Sequence, residues 1–453
     1  MEPKKNKRSG LLEFGYKYTE LEKPNLFRYM YPYDQIPRLI FNQRIVPMNL
    51  PDKIYITDTT FRDGQQSRAP YTVEEIVHLF GLLHKLDNGQ GVIAQSEFFL
   101  YSKKDREAVE KCRELGYEFP EVTSWIRANI KDFQLVKDME IKETGILVSC
   151  SDYHIFNKMG WTRAEALKNY LTIVEAALEA GIRPRCHFED ITRADFHGFV
   201  LPFAAKLMEL SKESGIPIKV RACDTLGLGT YIPGVVLPRS VQQIIYGLHN
   251  YSGVPSEMIE WHGHNDFYNA VPNAVTAWLY GASAINTSLL GIGERTGNTP
   301  LEAMCIEYCQ LKGHHGGLNL RVITEIAEYY ESHLGYDIPP RTPFIGKAFN
   351  ATRAGIHADG LLKDEEIYNI FNTAEILDRP PIVIVDSHSG LAGLAIWVNT
   401  YFNLKDDKKV DKRDPRLAKI KEWIDAQYAD GRNTTIGDVE LKKLVAEHMP
   451  GLM

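Results

Sequence analysis

The feature that most constrains this chain is a repeated alternation. From residue 54 onward, short runs rich in β-branched and aromatic residues are separated by longer stretches of helical character. The runs fall at 54–59, 91–97, 122–127, 145–151, 183–189, 216–223, 258–264 and 283–289. Between them, the stretch 72–86 opens with a Thr72-x-x-Glu75 capping signal, and 161–180 is rich in Ala, Leu and Glu. Eight strands alternating with helices over roughly 280 residues predict an α/β chain closed into a (β/α)8 TIM barrel. A doubly wound open sheet is the runner-up, but the phosphate-binding glycine-rich turn it needs after its first strand is missing.

A barrel collects chemistry where strands run into the loops that follow them. Arg62, Asp63, His154, Glu189, Asp224, Thr225, His262, His264 and Asn298 all fall at expected strand ends or just beyond. The stretch Glu260-Trp261-His262-Gly263-His264-Asn265-Asp266 places two histidines two residues apart, on one face of an extended segment. Two polar histidines at a strand end are structural about as often as they are ligands. Two further stretches tip the balance: Asp58-Thr59-Thr60-Phe61-Arg62-Asp63-Gly64-Gln65-Gln66 and Gly291-Ile292-Gly293-Glu294-Arg295-Thr296-Gly297-Asn298. Together they supply His, His, Asp and Asn, a nitrogen and oxygen set suited to a divalent metal with positions left for substrate.

The 453 residues divide, on this reading, into an N-terminal arm over 1–50, a catalytic barrel over 51–330, and a mostly helical lid region over 331–453. The arm carries aromatics and prolines without periodicity and is expected to pack on the body, with disorder only before about Gly10. In the last region Ala354-Gly355-Ile356-His357-Ala358-Asp359-Gly360 reads as a glycine-punctuated loop and 391–399 as a helix. The helices expected there at 417–428 and 438–449 follow a solvated charge run, the second capped by Thr435. A net charge of −7 excludes nonspecific nucleic-acid binding, and the basic start Lys4-Lys5-Asn6-Lys7-Arg8 is too short to reverse that. There is no membrane-spanning apolar run and no secretory signal, so a cytoplasmic location is expected. The six cysteines form no Cys-x-x-Cys pair and are read as reduced, mostly buried thiols.

Four of these motifs, in order, resemble the acyl-CoA-dependent synthases and lyases of the metal-dependent aldolase barrels: the Asp58 to Gln66 and Gly291 to Asn298 stretches, Phe188-Glu189-Asp190-Ile191-Thr192-Arg193, and His262-Gly263-His264-Asn265-Asp266. That family includes the 2-isopropylmalate, homocitrate and citramalate synthases and hydroxymethylglutaryl-CoA lyase. Gly355-Ile356-His357-Ala358-Asp359-Gly360-Leu361-Leu362-Lys363 is similar to the lid motif of the synthases, which the lyases lack. The resemblance implies that Asp63, His262, His264 and Asn298 hold the metal. It implies Arg62 beside the substrate carbonyl, Glu189 in proton handling, and Thr225 on the 2-oxoacid carboxylate, with Gln66 and His154 also on the substrate. His357 and Tyr368 match lid residues that reach the partner subunit's site in a homodimer. His357 is the first candidate for the base, and Glu189 the second.

Arg185 lies four residues before Glu189 on the same strand face, where homocitrate synthases carry an arginine facing the distal carboxylate of 2-oxoglutarate. A buried guanidinium needs an anion, so Arg185 is expected to read a dicarboxylic 2-oxoacid. Arg221, in step with Cys223 and Thr225, should also face inward, either toward substrate or paired with a barrel acid such as Glu97. The long arm, the opening Thr60 to Arg68 and the lack of a leucine-sensing domain are most similar to the citrate-forming members. The implied reaction is therefore condensation of acetyl-CoA with oxaloacetate to citrate. Homocitrate synthesis from 2-oxoglutarate comes next, then isopropylmalate or citramalate synthesis. The expected metal is Mn²⁺, with Mg²⁺, Zn²⁺ or Co²⁺ as alternatives. A biotin-dependent carboxyltransferase shares the barrel and His-x-His, but no sequence feature points to its carbamylated lysine or biotin carrier.

Overall fold

The computed structural model describes residues 16–452, together with the backbone of a two-residue antiparallel ladder, Lys4–Lys5 with Leu12–Glu13. The expected disorder before Gly10 lies outside the described residues. Eight parallel strands close the barrel in chain order: β1 Tyr55–Asp58, β2 Ile93–Phe98, β3 Glu121–Arg127, β4 Glu143–Ser149, β5 Arg183–Glu189, β6 Lys219–Asp224, β7 Ile259–Gly263 and β8 Ala284–Thr287. Each sits within a few residues of its expected place, and β8 pairs with both β7 and β1.

The surrounding helices start where local chemistry satisfies their free N–H groups. In α1, Val73–Asp87, Thr72 accepts from the Glu75 N–H while Glu75 accepts from the Thr72 N–H, the reciprocal cap expected from the sequence. Ser102 and Asp105 do the same for α2, Lys103–Glu114, and Thr162 and Glu165 for α4, Arg163–Glu179. Between α2 and α4 lies α3, Ile130–Asp138. The helical layer continues with α5 Leu201–Ser214, α6 Val241–Ser252, α7 Ala270–Tyr280 and α8 Leu301–Lys312. It buries Leu79, Leu83, Val174, Ala204, Ile244 and Trp278 against the outer strand faces.

Two compact units make up the chain, residues 1–319 and 320–453. In the first, the arm runs over the loops that follow β4, β5 and β6. Tyr153 donates to the Leu26 carbonyl at 2.8 Å, Tyr31 to that of Thr192 at 2.5 Å, and Arg239 to that of Arg38 at 2.7 Å. All six cysteines are free, and all but Cys309 are fully buried.

The second unit is mostly helical: α9 Val322–Ser332, α10 Gly355–Lys363, α11 Thr373–Leu377, α12 Leu391–Tyr401, α13 Pro415–Ala429 and α14 Asp438–His448. Leu394, Trp397, Leu417, Ile420, Ile424, Leu441 and Val445 form its main core. Two local expectations are corrected here. The segment read as a glycine-punctuated loop is helix α10. Its Gly360 serves close approach rather than a turn, since a Cβ there would stand 2.6 Å from the Tyr368 ring. The cap of α14 is Gly437, not Thr435, because the Glu440 side chain reaches back to the Gly437 N–H at 3.0 Å.

Candidate active site

The end of β7 and the turn after β1 meet at the mouth of the barrel. Strand alternation turns His262 and His264 inward, and their Nε2 atoms stand 3.3 Å apart. Asp63 Oδ2 lies 3.8 Å from each. These three buried residues offer ligand atoms within 4.8 Å of one another, which fits a single ion. Asn298 joins them by donating Nδ2 to Asp63 Oδ2 at 2.6 Å. The loop that carries it can fold this way because Gly297 takes φ +88° and Gly293 lacks a Cβ, which would sit 2.5 Å from Asn298 Oδ1.

The electrostatics fit a cation as well. Burial, and for His262 the neighbouring imidazole, holds both histidines below their ordinary range, so they are neutral lone-pair donors. Burial works to raise Asp63, but the Arg62 charge and the hydrogen bond from Asn298 help to hold it below the usual carboxylate range, so it is ionised. Neutral imidazole and ionised carboxylate are the forms a metal needs. Two further polar atoms, His264 Nδ1 and Asn298 Oδ1, are buried without a hydrogen-bond partner, an arrangement proteins seldom leave without a purpose.

Around this group, Arg62 donates Nε to Glu97 at 2.9 Å and a terminal N–H to Asp63 at 3.0 Å, with its guanidinium 5.5 Å from the Trp125 ring centre. Glu189, ending β5, is bonded to Ser149 and lies 3.2 Å from His154 and 3.6 Å from Lys158. Burial raises its pKa, yet His154, Ser149 and Lys158 together bring it down to about 2. His154 thus stands against Glu189, with Asp190 at 3.7 Å on its other nitrogen. Thr225 accepts from the Asp190 N–H at 2.8 Å. Gln66 is exposed on the short turn Gly64–Ser67. His357 and Tyr368 belong to the second unit, where their rings lie 4.4 Å apart.

The structure gives Arg185 partners within the protein. Its guanidinium is fully buried and its terminal N–H groups are matched, by Glu97 at 2.7 Å, Glu143 at 3.1 Å, Gln95 at 3.2 Å and Thr123 at 3.1 Å, while Nε lies 3.6 Å from Glu260 without a hydrogen bond. The anion that a buried guanidinium demands is the protein's own. Arg221 takes the second course left open for it, gripping Glu260 through two N–H groups at 2.8 and 3.0 Å and Glu97 through a third at 3.1 Å. Sequence reasoning missed Asn286, whose Oδ1 lies 2.7 Å from His262 Nδ1. The available signal was alternation: Asn286 pairs in register with His262 on the adjoining strand.

A closed parallel barrel with one carboxylate and two imidazoles converging at its mouth defines a barrel enzyme with a candidate site for a divalent metal. The chain belongs to the HMGL-like family, whose model matches residues 53–329. It is 62% identical to a Citrate (Re)-synthase from Clostridium kluyveri over 96% of each chain. It is 52% identical to one from Syntrophus aciditrophicus, over 96% of this chain and 70% of that one. A 2-phosphinomethylmalate synthase from Streptomyces hygroscopicus is 35% identical over 94% and 96% of the two chains. Among solved structures, a Bacillus subtilis HMG-CoA lyase aligns with TM-score 0.51 at 19% identity, covering 65% of this chain and 98% of that one. That likeness concerns the fold.

Proposed function

We infer that this chain condenses acetyl-CoA with oxaloacetate and hydrolyses the resulting thioester, giving citrate and CoA. The observation that carries the reading is the 62% identity to a Citrate (Re)-synthase over 96% of both chains. The preference for a dicarboxylic oxoacid now rests on that relative and no longer on Arg185.

Asp63, His262, His264 and Asn298 would hold a divalent cation, which when bound would supply Lewis acidity to the keto group of the oxoacid. Arg62, fixed by Glu97 and Asp63, brings positive charge to the oxygen on which negative charge develops. His357 takes a proton from the acetyl methyl, and the carbon so freed bonds to the keto carbon. The keto oxygen takes up a proton and becomes a tertiary hydroxyl. Water then adds to the thioester carbonyl, the C–S bond breaks, and the thiol leaves as CoA. Glu189, kept ionised by His154, Ser149 and Lys158, is the second candidate for the base. It also holds His154 and Lys158 at the rim, with Thr225 and Gln66 beside the oxoacid.

Mn²⁺ is the metal proposed, ahead of Mg²⁺, Zn²⁺ or Co²⁺, because two nitrogen donors shift an oxygen-leaning site toward it. The working form is a homodimer whose lid residues His357 and Tyr368 complete the neighbour's site. A cytoplasmic location agrees with six free cysteines, which persist in reducing compartments. The test is a panel of oxaloacetate, 2-oxoglutarate, pyruvate and 3-methyl-2-oxobutanoate with acetyl-CoA and Mn²⁺, followed by thiol release and product mass. Citrate should dominate. A larger turnover with another oxoacid, and its product mass, would replace this assignment.

A further inference from the structure

Beneath the metal-ligand group lies a continuous chain of buried side chains whose hydrogen-bond directions can be worked out. Arg221 donates Nε to Glu260 Oε2 at 2.8 Å and a terminal N–H to Oε1 at 3.0 Å. A carboxylate so gripped is an acceptor only. The Thr57 hydroxyl, also bonded to Glu260 Oε1, must therefore donate to it. Thr57 then has only lone pairs left for Asn286, whose amide group donates Nδ2 to it at 2.9 Å. That fixes the amide, placing Oδ1 against His262 Nδ1 at 2.7 Å. An amide oxygen only accepts, so the imidazole proton sits on Nδ1. The bare lone pair on Nε2 is thereby turned toward His264 and Asp63.

The other end of the chain reaches a second ligand. Arg221 also donates to Glu97 Oε1 at 3.1 Å, Arg62 donates to the same oxygen at 2.9 Å, and Arg62 donates to Asp63 Oδ1 at 3.0 Å. The path thus begins at one metal ligand and ends at another. Five of its members occupy neighbouring register positions on four adjoining strands: Arg221 beside Glu260, and Asn286 beside both His262 and Thr57. None of the side chains on it is more than 8% exposed.

We propose that Thr57, Asn286 and Glu260, anchored by Arg221, are positioning residues that set the tautomer and aim of His262 toward the metal. This rests on the reading of Asp63, His262 and His264 as metal ligands. A network that merely satisfied buried polar groups would affect folding; one that orients a ligand must affect metal affinity, by about 10- to 100-fold when a bond behind the ligand is cut.

The experiment is a titration of chelator-stripped protein with MnCl₂, free Mn²⁺ being read by electron paramagnetic resonance. His264→Ala should abolish tight binding, which tests the ligand assignment by itself. Thr57→Val, which keeps the shape but loses the hydroxyl, should weaken binding about 10- to 100-fold, and Thr57→Ser should restore it. Asn286→Asp, which keeps an acceptor for Nδ1, should bind far better than Asn286→Leu; that pair decides the matter if Thr57→Val does not fold. If His264→Ala loses Mn²⁺ while Thr57→Val and Asn286→Leu bind it like the wild type, the relay is wrong and the ligands are right. A wild-type protein that takes up no Mn²⁺ would overturn both.

Discussion

The upper and lower halves of the barrel lumen are both lined with charged and polar side chains, but they differ in how those groups are matched. In the lower half, Arg185, Arg221, Glu97, Glu143 and Glu260 face one another, each cation meeting at least two carboxylates. Burial works to raise the carboxylates, and the surrounding cations more than reverse it, so Glu97 and Glu143 stay below their ordinary range and Glu260 falls to about 2. In the upper half, two neutral imidazoles and a carboxylate converge on a common point, with His264 Nδ1 and Asn298 Oδ1 unpartnered. Buried charge alone is therefore a poor guide to function here. Paired charge fills the space that branched aliphatic layers occupy in most barrels, and the site is marked by ligand atoms that converge on one point.

If that contrast holds, losing an upper residue should cost activity, and losing Arg185, which is not a member of the path to His262, should cost stability. The largest expected effect comes from His264→Ala, which should cut turnover by orders of magnitude with a near-native melting curve, because it removes a proposed metal ligand from a core that stands without it. Global unfolding of this variant, seen in circular dichroism, would erase the distinction.

The lid supplies the next test, since His357 lies outside the barrel unit. Inactive His357→Ala and His264→Ala subunits, exchanged at random, should regain about a quarter of wild-type activity, because half the dimers are mixed and each carries one complete site. Mixed dimers that stay inactive would place the lid over its own subunit, or remove His357 from the chemistry.

In the lower half, Arg185→Ala should destabilise the protein by about 3 to 5 kcal/mol, the range for stripping one partner from a buried ion pair. Activity of the folded fraction should fall alike for oxaloacetate and pyruvate. A loss confined to oxaloacetate, measured as kcat/KM, would return Arg185 to the substrate.

The smallest effect concerns a carboxyl that lacks the cations Glu97 enjoys. Glu302 is buried in the first turn of α8, where desolvation pushes its pKa up to about 7 although the Leu290 N–H donates to it. A folded-state pKa above the unfolded one gives stability that is present below the ordinary carboxylate pKa and lost as pH rises through about 7. Relative to wild type, Glu302→Gln should thus gain at most about 3 kcal/mol between pH 5 and pH 8, read from denaturation midpoints. Equal pH slopes for the two proteins would mean that Glu302 is ionised in the fold after all.

Local pattern was enough to predict the eight strands, the cap at Thr72, and the His262 and His264 pair, because each depends on residues only a few positions apart in the chain. Alternation likewise turned Arg185 and Arg221 inward. What it left open was their company. A period of two says that a side chain enters the lumen, but not which of seven other strands supplies its neighbour, at what depth, or with what charge. Closure of the barrel decided that: strand stagger brought Glu97 and Glu143 to Arg185, Glu97 and Glu260 to Arg221, and Asn286 to the back of His262. The same limit explains α10, where Gly360 looked like a turn until Tyr368, eight residues on, came to rest against it. Sequence determined which groups the chain would bury; only tertiary structure paired them, because a buried charge is satisfied by whatever lies nearest in space.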